Sequence, residues 1–114
     1  MTYKEVNQMV KSMNLPYAYY QFPDGTAQAP PFICFFYSGT NDLYADQENY
    51  QRIEQLNIEL YTKHKDFDLE AQIEAVLKAN GITFSRQDSY INTEKMWQIA
   101  YEMDVLISGT SSSN

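Results

Sequence analysis

The chain contains two segments, 56–62 and 97–107, in which apolar and polar residues alternate. A period of two places successive side chains on opposite faces of a β-strand. The shared apolar face comprises Leu56, Ile58, Leu60, Trp97, Ile99, Tyr101, Met103, Val105 and Ile107. Glu59, Glu102 and Asp104 fall on the opposite face, with Asn57 and Gln98. The pattern therefore predicts a one-sided sheet whose open face carries carboxylates.

Other segments supply the remaining elements. Helical spacing of apolar residues predicts helices over 2–13 and 69–80, the first opened by a Thr2–Glu5 capping box. Strands are predicted at 17–22, 32–37 and 82–87, and a polar surface loop at 41–49. The continuous apolar run at 32–37 predicts a central strand that is buried on both faces.

These elements define an α+β fold in the order α-β-β-β-α-β-β. The sheet of about five strands is expected to be mostly antiparallel, because short links join its strands. Residues 1–107 form the predicted single domain. The Ser-rich segment 108–114 is predicted to be a disordered polar tail.

Charge narrows the choice of partners. The 114-residue chain has a net charge of −7, which disfavours tight binding to nucleic acid, since such binding depends on Lys and Arg. No apolar run has the length of a membrane helix, and the N-terminus lacks the pattern of a signal peptide. A single cysteine cannot form an internal disulfide, so the simplest predicted compartment is the cytosol of the producing cell.

The sequence contains no convincing catalytic, metal or cofactor site. Cys34 and His64 are the only Cys and His, but Cys34 lies in an apolar run and His64 between two lysines. A buried thiol and a solvated imidazole are therefore favoured over a nucleophilic pair. Asp42, Asp46 and Glu48 lack the fixed offsets of a calcium loop, and the four glycines are too far apart for a phosphate loop. We expect neither catalysis nor a cofactor.

Several segments resemble a known group of virion proteins. They are 15–22 (LPYAYYQF), 29–32 (APPF), 58–63 (IELYTK) and 101–103 (YEM). They are similar to small head–tail connection proteins of long-tailed phages and prophages of Gram-positive bacteria, above all the tail terminator or tail completion family. The likeness covers most of residues 1–107, and its motifs are structural. A neighbouring connector or minor tail protein would carry the same features.

The resemblance implies a small α/β domain that forms a hexameric ring. Such a ring caps the tail tube and docks it to the head connector, after assembly in the host bacterial cytoplasm. On this interpretation Glu59, Glu102 and Asp104 form a candidate lumen or docking face that lets DNA slide past. Tyr17, Tyr19, Tyr44 and Tyr50 are candidate interface residues, since interfaces favour tyrosine. The alternative is an acidic cytosolic regulatory module that binds proteins as a monomer or dimer.

Overall fold

The computed structural model describes residues 1–23, 25, 28–40, 43–44 and 50–108, with only the backbone at 43–44 and 50–51. Two helices and six strands follow one another along the chain. They are α1 (Tyr3–Lys11), β1 (Tyr17–Tyr19), β2 (Phe32–Thr40), β3 (Leu43–Tyr44), β4 (Tyr50–Thr62), α2 (Phe67–Ala79), β5 (Ser85–Ile91) and β6 (Met96–Ile107). Five strands form the sheet in the order β1-β2-β4-β6-β5, and the two-residue β3 pairs with the start of β4.

The predicted fold class is confirmed. The five principal strands and two helices follow the predicted order, and β1–β2 is the parallel pair in an otherwise antiparallel sheet. Neither helix of the described part has the length and apolar character that a membrane crossing requires.

The position of β2 differs from the prediction. The middle strand of the sheet is β4, whereas β2 lies one strand from the β1 edge. Ile33 and Phe35 of β2 are buried beneath the helices, but Phe32 and Phe36 on the other face are only half-buried. A continuous apolar run therefore did not mark the centre of the sheet. Its open-face residues Phe36 and Phe32 contact Tyr20 and Phe22, which follow β1 in the chain.

β5 also starts later than predicted. The segment 82–84 precedes it, and β5 continues to Ile91, through residues that the sequence suggested were a connection. Pairing along β6 from Ser85–Glu102 to Ile91–Met96 holds this polar edge strand. Tertiary pairing has overridden weak local preference here.

The β4–β6 ladder confirms the predicted alternation. It runs without interruption from Arg52–Ile107 to Thr62–Trp97. Within it Leu56, Leu60 and Tyr101 are completely buried on the helix-covered face. This ladder forms the floor of the hydrophobic core.

Both helices cover the same face of the sheet. The predicted capping box opens α1, because the Thr2 hydroxyl accepts from the Glu5 amide and the Glu5 carboxylate accepts from the Thr2 amide. Asp66 caps α2 by accepting from the Leu69 amide at 3.0 Å. The buried helix residues in the core are Val6, Met9, Val10, Ile73 and Leu77.

An ionic network fastens α2 to the edge of the sheet. Glu70 of α2 is 2% exposed, and its two carboxylate oxygens contact Lys65 at 2.6 Å and Arg86 at 2.7 Å. Arg86, on β5, also pairs with Glu74 and Asp88. The buried charge of Glu70 is therefore doubly compensated, as burial of a carboxylate requires.

Replacing a buried and an exposed leucine of the sheet should change the free energy of unfolding by different amounts. Leu60→Ala removes a fully buried side chain from β4 and should lower the free energy of unfolding by about 2–5 kcal/mol. Leu106→Ala on β6 is the matched control, because Leu106 is 47% exposed, and should cost less than about 1 kcal/mol. Urea denaturation measures both. Equal losses would contradict the assignment of the two faces.

Buried Tyr101 and half-buried Tyr37 should respond differently to loss of the hydroxyl. The Tyr101 hydroxyl donates to Glu74 Oε2 at 3.0 Å, so Tyr101→Phe should cost about 1–2 kcal/mol. The Tyr37 hydroxyl is buried without a hydrogen-bond partner among the described residues, so Tyr37→Phe should be neutral or stabilising.

The contribution of Tyr37 to stability should also depend on pH. Burial raises the pKa of Tyr37 to about 12, from 10.0, so the folded state retains this proton more strongly than the unfolded chain does. The associated stability is complete below pH 10 and declines as the pH rises towards 12. Denaturation at neutral pH and above pH 10 should show a smaller alkaline loss for Tyr37→Phe than for the wild type, and an equal loss would contradict this.

Candidate functional site on the open face of the sheet

The three predicted carboxylates lie on the open face, on the two middle strands. In the β4–β6 register Glu59 pairs with Ala100, and Asn57 pairs with Glu102. Glu102 is thus the diagonal neighbour of Glu59, and Asp104 is the next open-face residue along β6. Sheet register brings together residues that are more than forty positions apart in sequence.

The carboxylates differ in their surroundings. Glu102 and Asp104 are exposed, whereas Glu59 is half-buried. The Tyr61 hydroxyl donates to Glu59 Oε1 at 2.8 Å and accepts from Gln98 Nε2 at 2.8 Å. Burial raises the pKa of Tyr61 well above its usual range, so this hydroxyl remains a donor even in alkaline solution. Glu59 is therefore oriented by its neighbours, while the other two carboxylates face solvent.

Basic side chains of the strands lie on the other face. Arg52 and Arg86 are the arginines of the described strands, which contain no lysine. Arg52 interacts with Tyr3 of α1, and Arg86 with Glu70 and Glu74 of α2, so both point to the helix layer. The strand residues of the open face therefore present a negative potential without local compensation from the strands.

One end of the open face is aromatic. Phe32 stacks on Tyr61 with 4.9 Å between ring centroids, and Phe22 meets Phe32 edge-on at 5.4 Å. These rings line a shallow groove of about 640 Å³ beside Cys34. The open face thus changes from apolar at this end to acidic towards Glu102 and Asp104.

The groove does not contain an activated nucleophile. Cys34 is 6% exposed, and burial, with the nearby Glu59 charge, raises the pKa of its thiol. Its partner across the ladder is Glu59, whereas His64 is exposed beyond the end of β4. A reactive cysteine requires the opposite environment, one that stabilises the thiolate.

The described residues contain no cluster of three or more His, Cys, Asp or Glu side chains that could hold a metal ion. Asp42, Asp46 and Glu48, the residues weighed for calcium, lie outside the described part.

The candidate interface tyrosines fall into two groups. Tyr17 is half-buried against Phe35, with 6.3 Å between ring centroids, while Tyr19 is 53% exposed at the β1 edge. Tyr44 and Tyr50 are paired through their backbones between β3 and β4, and their side chains lie outside the described part.

Sequence reasoning missed Tyr20. This residue is 64% exposed and has a left-handed φ of +68°, which is rare for a residue with a bulky side chain. The sequence carried no signal for that conformation, because no Gly, Asn or Asp occupies the position.

No family model and no curated protein matches the chain. Among solved structures, the fold is similar to that of a chain in a structure described as the virion of a native gene transfer agent (GTA) particle. The TM-score is 0.61 at 13% sequence identity, and the match covers 89% of this chain and 91% of that chain. At this identity the likeness establishes a shared fold.

The thiol of Cys34 should be protected in the folded protein. We expect Ellman's reagent to react slowly with the native chain at mildly alkaline pH and rapidly after denaturation in urea, because burial disfavours the thiolate. The denatured protein is the internal control. Native reactivity equal to that of the denatured chain would contradict the placement of Cys34.

Proposed function

We propose that this chain is a non-enzymatic structural protein of a phage-type virion that acts at the head–tail junction. The observation that carries the proposal is its fold, which matches a virion component along almost the whole of both chains. The resemblance of its segments to tail terminator and tail completion proteins supports the more specific role. In that role a hexameric ring of this chain closes the tail tube and docks it to the head connector.

The acidic open face has a physical use in such a ring. DNA binds proteins mainly through phosphate contacts with Lys and Arg. A ring opening lined by Glu59, Glu102 and Asp104 would repel phosphate and let the duplex pass without adhering. The location of both strand arginines on the helix-covered face supports this role, because neither compensates the carboxylates.

The proposed partners follow from the same role. They are other copies of this chain, the tail-tube protein and the head connector. Assembly would take place in the host cytoplasm, and the protein would remain in the virion. Removing the gene from the phage or prophage that encodes it should therefore leave filled heads and tails that do not join, as seen by electron microscopy. Normally joined particles without this protein would contradict the proposed function.

Charge reversal on the open face tests the lumen. Glu59→Lys and Glu102→Lys, each a change of two charge units, should impair DNA passage because phosphate would then be held. The expected result is joined particles with at least about tenfold lower infectious titre and about tenfold slower DNA ejection. A tenfold slower ejection rate corresponds to about 1.4 kcal/mol in the barrier to passage.

A reversal of equal size on the helix layer serves as the matched control. Asp68→Lys alters an exposed residue of α2, and its titre should stay close to that of the wild type. Normal titre and normal ejection for both open-face variants would rule out a lumen role for Glu59 and Glu102.

A further inference from the structure

The edge of the sheet formed by β5 carries an exposed aromatic cluster. Phe67, the first residue of α2, is 71% exposed, and Tyr90 of β5 is 45% exposed. Trp97 meets Tyr90 edge-on at 5.4 Å, and Lys65 Nζ lies 4.5 Å from the Phe67 ring centroid and 5.7 Å from that of Trp97. We call exposed Phe67 and Tyr90, together with half-buried Trp97, the β5-edge cluster. Exposed aromatic rings grouped in this way are typical of contact sites.

The opposite edge carries a second aromatic pair. Tyr19 and Tyr20 are 53% and 64% exposed at the end of β1. Tyr19 is fixed from behind, since its hydroxyl accepts from the Tyr37 amide at 3.2 Å. The Tyr20 amide donates to the Phe35 carbonyl at 2.7 Å, and its ring meets Phe36 edge-on at 5.9 Å. We call Tyr19 and Tyr20 the β1-edge pair.

The conformation of Tyr20 suggests a use other than stability. A glycine would adopt its φ of +68° without strain, whereas a bulky residue is disfavoured there. Because Tyr20 is 64% exposed, burial of its ring on folding offsets little of the backbone strain. A strained backbone that presents a large ring to solvent indicates a ring that becomes buried in a partner.

Charge indicates which partner fits. Two copies of a chain with a net charge of −7 repel each other, unless the surfaces that meet are locally neutral. Asp24 is the only charged residue from position 12 to position 40, so the β1 edge belongs to an almost uncharged segment. Beside the β5-edge cluster, Lys65 and Arg86 pair with Glu70, Glu74 and Asp88 and offset only part of the negative charge, since Asp66 and Asp68 also flank Phe67. Two β5 edges would therefore repel each other, whereas the β1 edge adds no charge to a contact with a β5 edge. These two edges can meet with little repulsion.

We propose that the β1-edge pair of one subunit packs against the β5-edge cluster of a second copy. The two surfaces differ and lie on opposite edges, four strand spacings or roughly 19 Å apart. Contacts between unlike surfaces are heterologous, and they propagate head to tail until a ring closes. The inference rests on the proposed function, since it names the subunit contact of that ring.

Crosslinking tests the direction of the contact. The full-length chain with Cys34→Ala would carry Gln21→Cys, His64→Cys or both, and would be treated with a flexible bis-maleimide. Both positions are exposed and lie beside the two surfaces, so the contact rings themselves are kept. The doubly substituted chain should give a ladder of multimers on denaturing gels, and a mixture of the single variants should give heterodimers. Heterodimers should exceed the dimers of either single variant by at least about tenfold, as for a dominant contact residue.

Two results would overturn the inference. Abundant dimers of Gln21→Cys or of His64→Cys alone would indicate contact between like edges. Absence of a ladder from the doubly substituted chain, at the highest concentration reached, would indicate no contact through these edges.

The variants Tyr20→Gly and Tyr20→Phe distinguish an effect on self-association from an effect on stability. The glycine variant should melt close to the wild type, because strain is relieved as the ring is lost, yet self-associate at least about tenfold more weakly in sedimentation. The phenylalanine variant keeps the ring and should restore association. Leu106→Ala, which removes an exposed apolar side chain on the open face, is the matched control and should associate normally.

Failure of the inference is distinguishable from failure of the proposed function. Normal association of Tyr20→Gly, together with unjoined heads and tails in the gene deletion, would reject the edge contact and keep the virion role. A crosslinked ladder together with normally joined particles in the deletion would support the edge contact and reject the junction role.

Discussion

The uninterrupted ladder between β4 and β6 is the constraint on which the rest of this structure depends. Because side chains alternate with a period of two, one register assigns every residue of both strands to a face. A slip of one residue in β4 would bury Glu59 and expose Leu60, and the same slip in β6 would bury Glu102 and expose Tyr101. Burial of the apolar face beneath two helices makes that slip prohibitively costly. The same interaction thus builds the core and displays the carboxylates.

Carboxylates are compensated on one face of the sheet and exposed to solvent on the other. On the helix side Glu70 is buried but compensated by Lys65 and Arg86, so its charge fastens α2 to the sheet edge. On the open side Glu102 and Asp104 are exposed and have no basic strand neighbour on that face. Their charge adds little to stability, since exposed carboxylates remain hydrated. A negative surface of this kind repels anions that approach it. The proposed function therefore assigns the open face to repulsion of DNA phosphate.

Fold and function rest on separate arguments here. The likeness to a virion component establishes the architecture, and a shared architecture by itself does not specify an activity. The proposed function is inferred from three features of the surface and site: a buried thiol whose pKa is raised, an acidic open face, and aromatic rings at both sheet edges. In the proposed function the acidic face would let a polyanion pass, and the aromatic rings at the edges would hold subunits together.

Local pattern in the sequence determined the two alternating strands, the capping box of α1, the helix over most of 67–79 and the α+β order. Each depends on periodicity or on neighbours a few residues apart. The same pattern assigned Glu59, Glu102 and Asp104 to one face. Tertiary structure alone decided the strand order, the late start of β5 and the central position of β4, because pairing partners are distant in sequence. It also decided the left-handed backbone of Tyr20 and the grouping of Phe67 with Tyr90, since both depend on long-range packing at the sheet edges that periodicity does not encode.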